Sequence, residues 1–179
     1  MSLIRVERRC EHSFVGNALA PGAVVVDLGL NTGDFATWIA ERFGCAVYGA
    51  EPDPDLCNGL PKRADVKVFA CAIAGRSELA VLRRAPGECP TLLGGSFKPE
   101  NEMEVEVLSL EEFLSRAGLA GRDRIDLVKV DIEGAELPMF EEAPDVLLQR
   151  VAQFTVEFHD FIWSELANRV KQVRFRLRY

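Results

Sequence analysis

Ala23-Val24-Val25-Val26-Asp27-Leu28-Gly29-Leu30-Asn31-Thr32-Gly33 is the stretch that decides the fold. A short apolar run rich in β-branched residues reads as a parallel strand buried on both faces. An acid closes it, two glycines follow at G-x-x-x-G spacing, and Asp34 stands where a cap for the next helix would sit. Phe35, Trp38, Ile39 and Phe43 recur at helical spacing, and Gly44 stops the helix. Strand, glycine loop and helix together predict the first unit of an α/β sheet.

The same alternation continues outward. Ala46–Ala50 is a second strand ending at Glu51. Asp53 caps a helix that has Pro54 at its first position. Val66–Ala70 is a third strand, and Leu79–Leu82 a short one. Residues 85–101 form a Pro/Gly-rich loop, and Glu104–Val107 alternates as an edge strand would. Ser109-Leu110-Glu111-Glu112 is a capping box for a helix ending near Gly118. Ile125–Val130 is a strand, Asp131–Gly134 turns into a helix carrying Pro138, Val151–Phe158 is a strand, and Phe161–Val170 a helix. Val173–Tyr179 alternates apolar residues with Arg174, Arg176 and Arg178, which predicts a last strand. Residues 1–20 read as a polar leader with a short helix over Phe14–Leu19. The expectation is one domain: the leader, a core over 21–160, and a helix plus strand over 161–179. Its class is α/β, a mostly parallel, doubly wound sheet with helices on both faces.

Composition narrows the function. The 179 residues carry 21 Lys plus Arg against 28 Asp plus Glu, a formal charge of −7, which disfavours general nucleic-acid binding. From residue 161 on the balance is five basic to one acidic, leaving −11 for the rest. That basic tail reads as a solvated face, or as a dock for an acidic partner. No run approaches the roughly 20 apolar residues of a membrane span. The N-terminus has charges where a signal peptide is apolar, so a cytoplasmic protein is expected. Cys10, Cys45, Cys57, Cys71 and Cys89 are odd in number and form no C-x-x-C pair, which favours small core hydrophobes.

Ligands of open α/β sheets bind beyond the C-terminal strand ends. Four polar segments fall there: Asp27–Gly33, Glu51–Asp53, Asp131–Gly134 and Glu157–Asp160. The first is neither a G-x-G-x-x-G dinucleotide fingerprint nor a P-loop. A carboxylate at Asp27 would repel a diphosphate and suit a cationic ligand. Glu51, 24 residues later at a strand end, is placed to accept hydrogen bonds from a ribose diol.

VVVDLGLNTG, VYGAEPDP, LVKVDIEGAE and FTVEFHD together resemble the FkbM-type S-adenosylmethionine-dependent methyltransferases, over about Pro21 to Asp160. The Lys129–Glu136 segment is the most family-specific. The resemblance implies a Rossmann-like class I methyltransferase fold and S-adenosylmethionine as methyl donor. It implies Asp27, Gly29, Asn31 and Gly33 along the methionine moiety, Glu51 on the ribose, Pro52 and Asp53 beside the adenosine, and Cys71 and Ala72 near the adenine. The acceptor it implies is a hydroxyl on a small molecule, sugar or natural product. His159 is the expected base or acceptor-orienting group, with Glu157 beside it and Asp131 shaping the acceptor pocket. His12, in the leader, looks incidental. Asp131, Glu133 and Asp160 are oxygen ligands of the kind that hold Mg²⁺, but their spacing does not demand an ion, and no metal is assigned. Class I sheets end in two antiparallel strands, and the 19 residues after Asp160 hold one at most. A sheet shortened there would expose an edge and favour a homodimer. Two rival readings are a non-catalytic S-adenosylmethionine-binding or scaffold domain and a nicotinamide-dependent oxidoreductase.

Overall fold

A computed structural model describes residues 3–84, 101–159 and 166–177. Its centre is a five-stranded parallel sheet of β3 (Val24–Leu28), β4 (Ala46–Ala50), β5 (Val66–Phe69), β9 (Leu127–Val130) and β10 (Phe154–Val156), in the order β10-β9-β3-β4-β5. The chain leaves β3 in one direction for β4 and β5, then returns to its other side for β9 and β10. The strand order therefore reverses between β3 and β9, and the crevice expected of such sheets lies beyond their ends.

Strand periodicity sorts the core into two layers. Val24, Val26 and Leu28 of β3 pack on one face with Val128 and Val130 of β9, against α3 (Leu110–Arg116), α4 (Glu136–Glu142), α5 (Asp145–Leu148) and α6 (Ala167–Arg176). Val25, Val47 and Leu127 face the other way, onto α1 (Asp34–Phe43) and Phe14. A Rossmann-like sheet with helices on both faces is thus what these residues build. Beside it, β6 (Ala72–Ala74), β8 (Asn101–Ser109) and β7 (Glu78–Arg84) form a separate three-stranded sheet in that order. α2 (Pro54–Gly59) begins where expected, with the Asp53 carboxylate accepting from Asp55 N at 2.9 Å. Ser109 likewise caps α3 through Glu112 N.

Several expectations change. The leader is not helical over Phe14–Leu19. It folds as an antiparallel hairpin, β1 (Val6–Arg9) and β2 (His12–Val15), followed by one 3₁₀ turn. Gln153 ties the hairpin to the sheet: its Oε1 accepts from Val15 N at 2.7 Å and its Nε2 donates to Val15 O at 3.3 Å. Asp34 is the first residue of α1 rather than its cap; Gly33, at φ 77°, holds that place. β8 lies between β6 and β7, so its alternation reports a wet face and not a free edge. The tail is the largest difference. Residues 167–176 are helical, not a strand over 173–179. Val170 and Val173 are buried at helical spacing, while Arg169 bonds Glu141 and Arg176 bonds Asp145. The basic tail is thereby partnered in part by the acids of α4 and α5. Among the described residues no strand follows β10, which is an edge. Of the loop expected over 85–101, residues 85–100 lie outside the described residues and Asn101 begins β8; the start of the helix, over 161–165, and Asp160 also lie outside them.

Candidate active site at the β3–β9 crevice

The loop after β3 is fastened to the end of β4. Gly29 N and Leu30 N both donate to Ala50 O at 3.0 Å. Gly29 has φ 85°, and a Cβ on it would lie 1.9 Å from Asp131 O. Only glycine lets the β3 and β9 loops touch there. Gly33 answers to a different neighbour: a Cβ on it would meet Leu60 Cδ2 at 2.5 Å.

A cleft opens at this contact. Gly29, Asn31, Glu51, Pro52, Cys71, Ala72 and Asp131 are on its wall, as are Leu56, Ile73, Leu82, Ile132 and Glu133. Its space is about 590 Å³, counting the part open to solvent. Asp27, Gly33 and Asp53, also expected at the cofactor, do not line it. They stand behind the wall.

Glu51 is the best-defined polar group of the cleft. It is 4% exposed, with Oε2 accepting from Asn31 N at 2.8 Å and Oε1 from Asp53 N at 2.9 Å. Burial raises its carboxyl above the ordinary carboxylate range, and the two backbone N–H groups oppose that rise. Each carboxylate oxygen keeps a lone pair for a further donor. Cys71 supplies the opposite character. Burial pushes its thiol up to about 12, so it is a neutral, apolar wall at neutral pH.

Asp27 is not a bare charge. It is 0% exposed and sits directly across from Lys129 on the neighbouring strand. Lys129 Nζ lies 3.1 Å from Asp27 Oδ1, 3.5 Å from Asp131 Oδ2, and donates to Gly29 O at 2.8 Å. Burial works against the ammonium, but the two carboxylates outweigh it and hold Lys129 above its ordinary value. Sequence reading gave Lys129 no role; its signal was a lysine inside an apolar strand run. The negative charge that faces the cleft comes instead from Asp131 and Glu133. Burial pushes the Asp131 carboxyl up, but His12 and Lys129 beside it bring it below the usual range.

The turn after β9 is organised by Glu136, also unforeseen. Its Oε1 accepts from Ile132 N and Gly134 N, each at 3.1 Å, which leaves Asp131 and Glu133 on the cleft wall. His159 docks on the same oxygen through Nδ1 at 3.0 Å, and its Nε2 is 3.3 Å from Glu133 Oε2. The Glu136 hydrogen bond, against some desolvation, raises the imidazole pKa to about 9. The structure therefore brings His159 to Asp131, but as a cation at neutral pH. Glu157 reaches Asp131 as well, in company with His12. His12, set aside in the sequence, is buried against the sheet and meets Phe35 edge-on at 5.9 Å. A four-residue strand gave no sign of that.

No helix among the described residues is long and apolar enough to cross a membrane. The chain is 26% identical over 184 residues to the 31-O-demethyl-FK506 methyltransferase FkbM of Streptomyces tacrolimicus, covering 81% of this chain and 68% of that protein. A putative methyltransferase from an antibiotic biosynthesis pathway of Anabaena variabilis ATCC 29413 aligns with a TM-score of 0.43 and 15% identity. That alignment covers 92% of this chain and 54% of the other, so the chain spans about half that protein's length. The methyltransferase FkbM domain model matches residues 27–179, and the chain belongs to that family of methyltransferases.

Proposed function

We propose that this chain transfers a methyl group from S-adenosylmethionine to a hydroxyl of a small molecule, a sugar or natural product. The observation that carries the reading is Glu51, a buried carboxylate fixed by two backbone donors on the wall of the crevice where strand order reverses. The residues fit the cofactor. Glu51 would take the ribose hydroxyls. Leu56, Cys71, Ile73 and Leu82 would flank the adenine with apolar surface. Gly29, Asn31 and Asp131 would border the amino-acid end, with Asp27 and Lys129 holding the loop carbonyl of Gly29 from behind. Bound there, S-adenosylmethionine supplies an electrophilic methyl group on a sulfonium.

The chain's own part is positioning and proton handling. Holding two reactants in line is worth about 7–11 kcal/mol in favourable cases. As the acceptor oxygen bonds to carbon it gains positive charge and must shed its proton. Asp131, on the wall, and Glu157, beside it, are the carboxylates placed to accept that proton. His159 is a donor at neutral pH, because its ring is already protonated. We therefore give it the role of orienting the acceptor oxygen rather than the role of base. The Streptomyces relative is named for an O-demethyl acceptor, which supports oxygen as the nucleophile.

Calorimetry with S-adenosylhomocysteine and with NADH tests the assignment. Saturable binding of the first and none of the second is expected. Binding of NADH alone would overturn it. A chain that binds S-adenosylhomocysteine but never consumes S-adenosylmethionine across a panel of hydroxylated acceptors would be a binding module instead.

A further inference from the structure

Behind the cleft wall, one ligand atom each from His12, Asp131 and Glu157 lies within 4.8 Å of the other two. His12 comes from the β1–β2 hairpin, outside the 27–179 segment that carries the family match. It is 2% exposed, and its Nδ1 lies 3.2 Å from Thr155 Oγ1. Its Nε2 is closed off from solvent and makes no hydrogen bond; Asp131 Oδ2 is 3.6 Å away. Without a cation the ring presents Nε2–H to Asp131; with Nδ1–H donating to Thr155, Nε2 instead presents a lone pair to a cation held by the two carboxylates. The second arrangement is how a metal-ligating histidine is held, with its second nitrogen bonded to an outer group.

We propose that His12 Nε2, Asp131 and Glu157 bind a divalent first-row cation. The local charge asks for one. Asp27, Asp131, Glu133, Glu136 and Glu157 gather here against Lys129 and His159 as the cationic partners. Lys129 lies nearer Asp27 Oδ1 and Gly29 O, at 3.1 and 2.8 Å, than Asp131 Oδ2, at 3.5 Å, so its one charge is divided between two acids. An imidazole among the donors favours Mn²⁺ or Zn²⁺ over Mg²⁺ or Ca²⁺, which prefer oxygen alone. Three protein ligands would leave coordination positions for water or a substrate oxygen. The neighbouring trio of Asp131, Glu133 and His159 is the weaker candidate, because both His159 nitrogens already face carboxylates at 3.0 and 3.3 Å.

The site shares Asp131 and Glu157 with the methyltransferase reading, but cation binding there does not depend on that reading. Its consequence for an acceptor hydroxyl beside Asp131, a lowered pKa, rests on that reading. The test is Mn²⁺ titration of the full chain, without cofactor or acceptor, followed by electron-spin-echo spectroscopy. One Mn²⁺ per chain with nitrogen coupling from a directly bound imidazole is expected. His12→Ala should remove that coupling and weaken binding by about tenfold or more. Glu157→Gln should weaken binding comparably, and it decides the matter if His12→Ala does not fold. Glu133→Gln, which removes a nearby charge but no ligand, should weaken binding far less than either and leave the nitrogen coupling in place. No saturable Mn²⁺ binding to the folded chain overturns the proposal. So does a site whose nitrogen coupling survives His12→Ala, or one that Glu133→Gln abolishes. S-adenosylhomocysteine binding, measured on the same sample, separates failure of the metal site from failure of the methyltransferase assignment.

Discussion

Lys129→Met isolates the buried ion pair on which the crevice is built. The substitution keeps the length of the side chain and removes its charge. Asp27, 0% exposed, then loses the ammonium 3.1 Å away and keeps only desolvation. Stranding one partner of a buried pair costs about 3–5 kcal/mol. Loss of the donor to Gly29 O falls inside that figure, since the two effects are not independent. For a chain of this size the cost corresponds to a fall of about 6–20 °C in melting temperature. Thermal unfolding followed by circular dichroism across pH is the assay. In the variant Asp27 is relieved by taking up a proton, so its deficit against the unsubstituted chain should shrink as pH falls. In the unsubstituted chain the sign is opposite for Lys129. Its folded pKa lies above the ordinary 10.5, so its contribution is full below that value and is lost as pH rises through the folded one. Adding Asp27→Asn to Lys129→Met should recover part of the loss, because no charge is then left buried. A single Lys129→Met variant that melts within about 2 °C of the parent, with no pH-dependent gap, would refute the ion-pair account.

Gly29→Ala should destabilise the chain by about 3 kcal/mol or more, because φ is 85° and the new Cβ would lie 1.9 Å from Asp131 O; an unchanged melting temperature would contradict the loop contact. Glu51→Gln keeps the shape but turns an amide N–H₂ toward a backbone donor. S-adenosylhomocysteine should bind it about 10–100-fold more weakly, by calorimetry on a folded variant. His159 has a folded pKa of about 9 against 6.5 unfolded, so its stabilising contribution is full below 6.5 and is lost as pH rises through about 9. His159→Gln should flatten the melting-temperature profile across that window, and an unaltered slope would show that the Glu136 contact is not what raises it.

The crevice was legible because its parts are local. β3, Gly29, α1 and β4 follow from an apolar run, a positive-φ glycine and helical spacing within 30 residues. Glu51 followed from its place at a strand end. What could not be read depended on partners far along the chain. His12 becomes a buried group only because Gln153 and Thr155, some 140 positions away, hold the hairpin against β10. Lys129 is a surface-type residue that sequence pattern alone cannot pair with Asp27 a hundred positions earlier. The tail shows a genuine ambiguity. Val173, Phe175 and Leu177 alternate, yet Val170, Val173 and Leu177 are also spaced three and four apart. Ion pairs to α4 and α5 settle it in favour of the helix and leave Phe175 outward, 62% exposed.

Selectivity against diphosphates also moves, from one loop to the next. A lone acid at Asp27 was the expected deterrent, but Lys129 neutralises it inside the sheet. The charge that a ligand meets is on Asp131 and Glu133, which line the cleft at the β9 end. ADP-ribose and S-adenosylhomocysteine share adenine and ribose and differ in what they send toward these two acids. One carries a diphosphate, the other an ammonium with a carboxylate. At about 5 Å and an effective dielectric near 20, each like-charge pair costs about 3 kcal/mol, or roughly a hundredfold in affinity. Competition calorimetry in EDTA, so that no metal ion screens the acids, should therefore find ADP-ribose weaker, by up to about that factor, because His159 and Lys129 offset part of the charge on the two acids. The Asp131→Asn, Glu133→Gln double variant should narrow the gap from the ADP-ribose side. Equal affinities in the unsubstituted chain would mean that the β9 turn does not select, and that the cleft recognises only the nucleoside that both ligands carry.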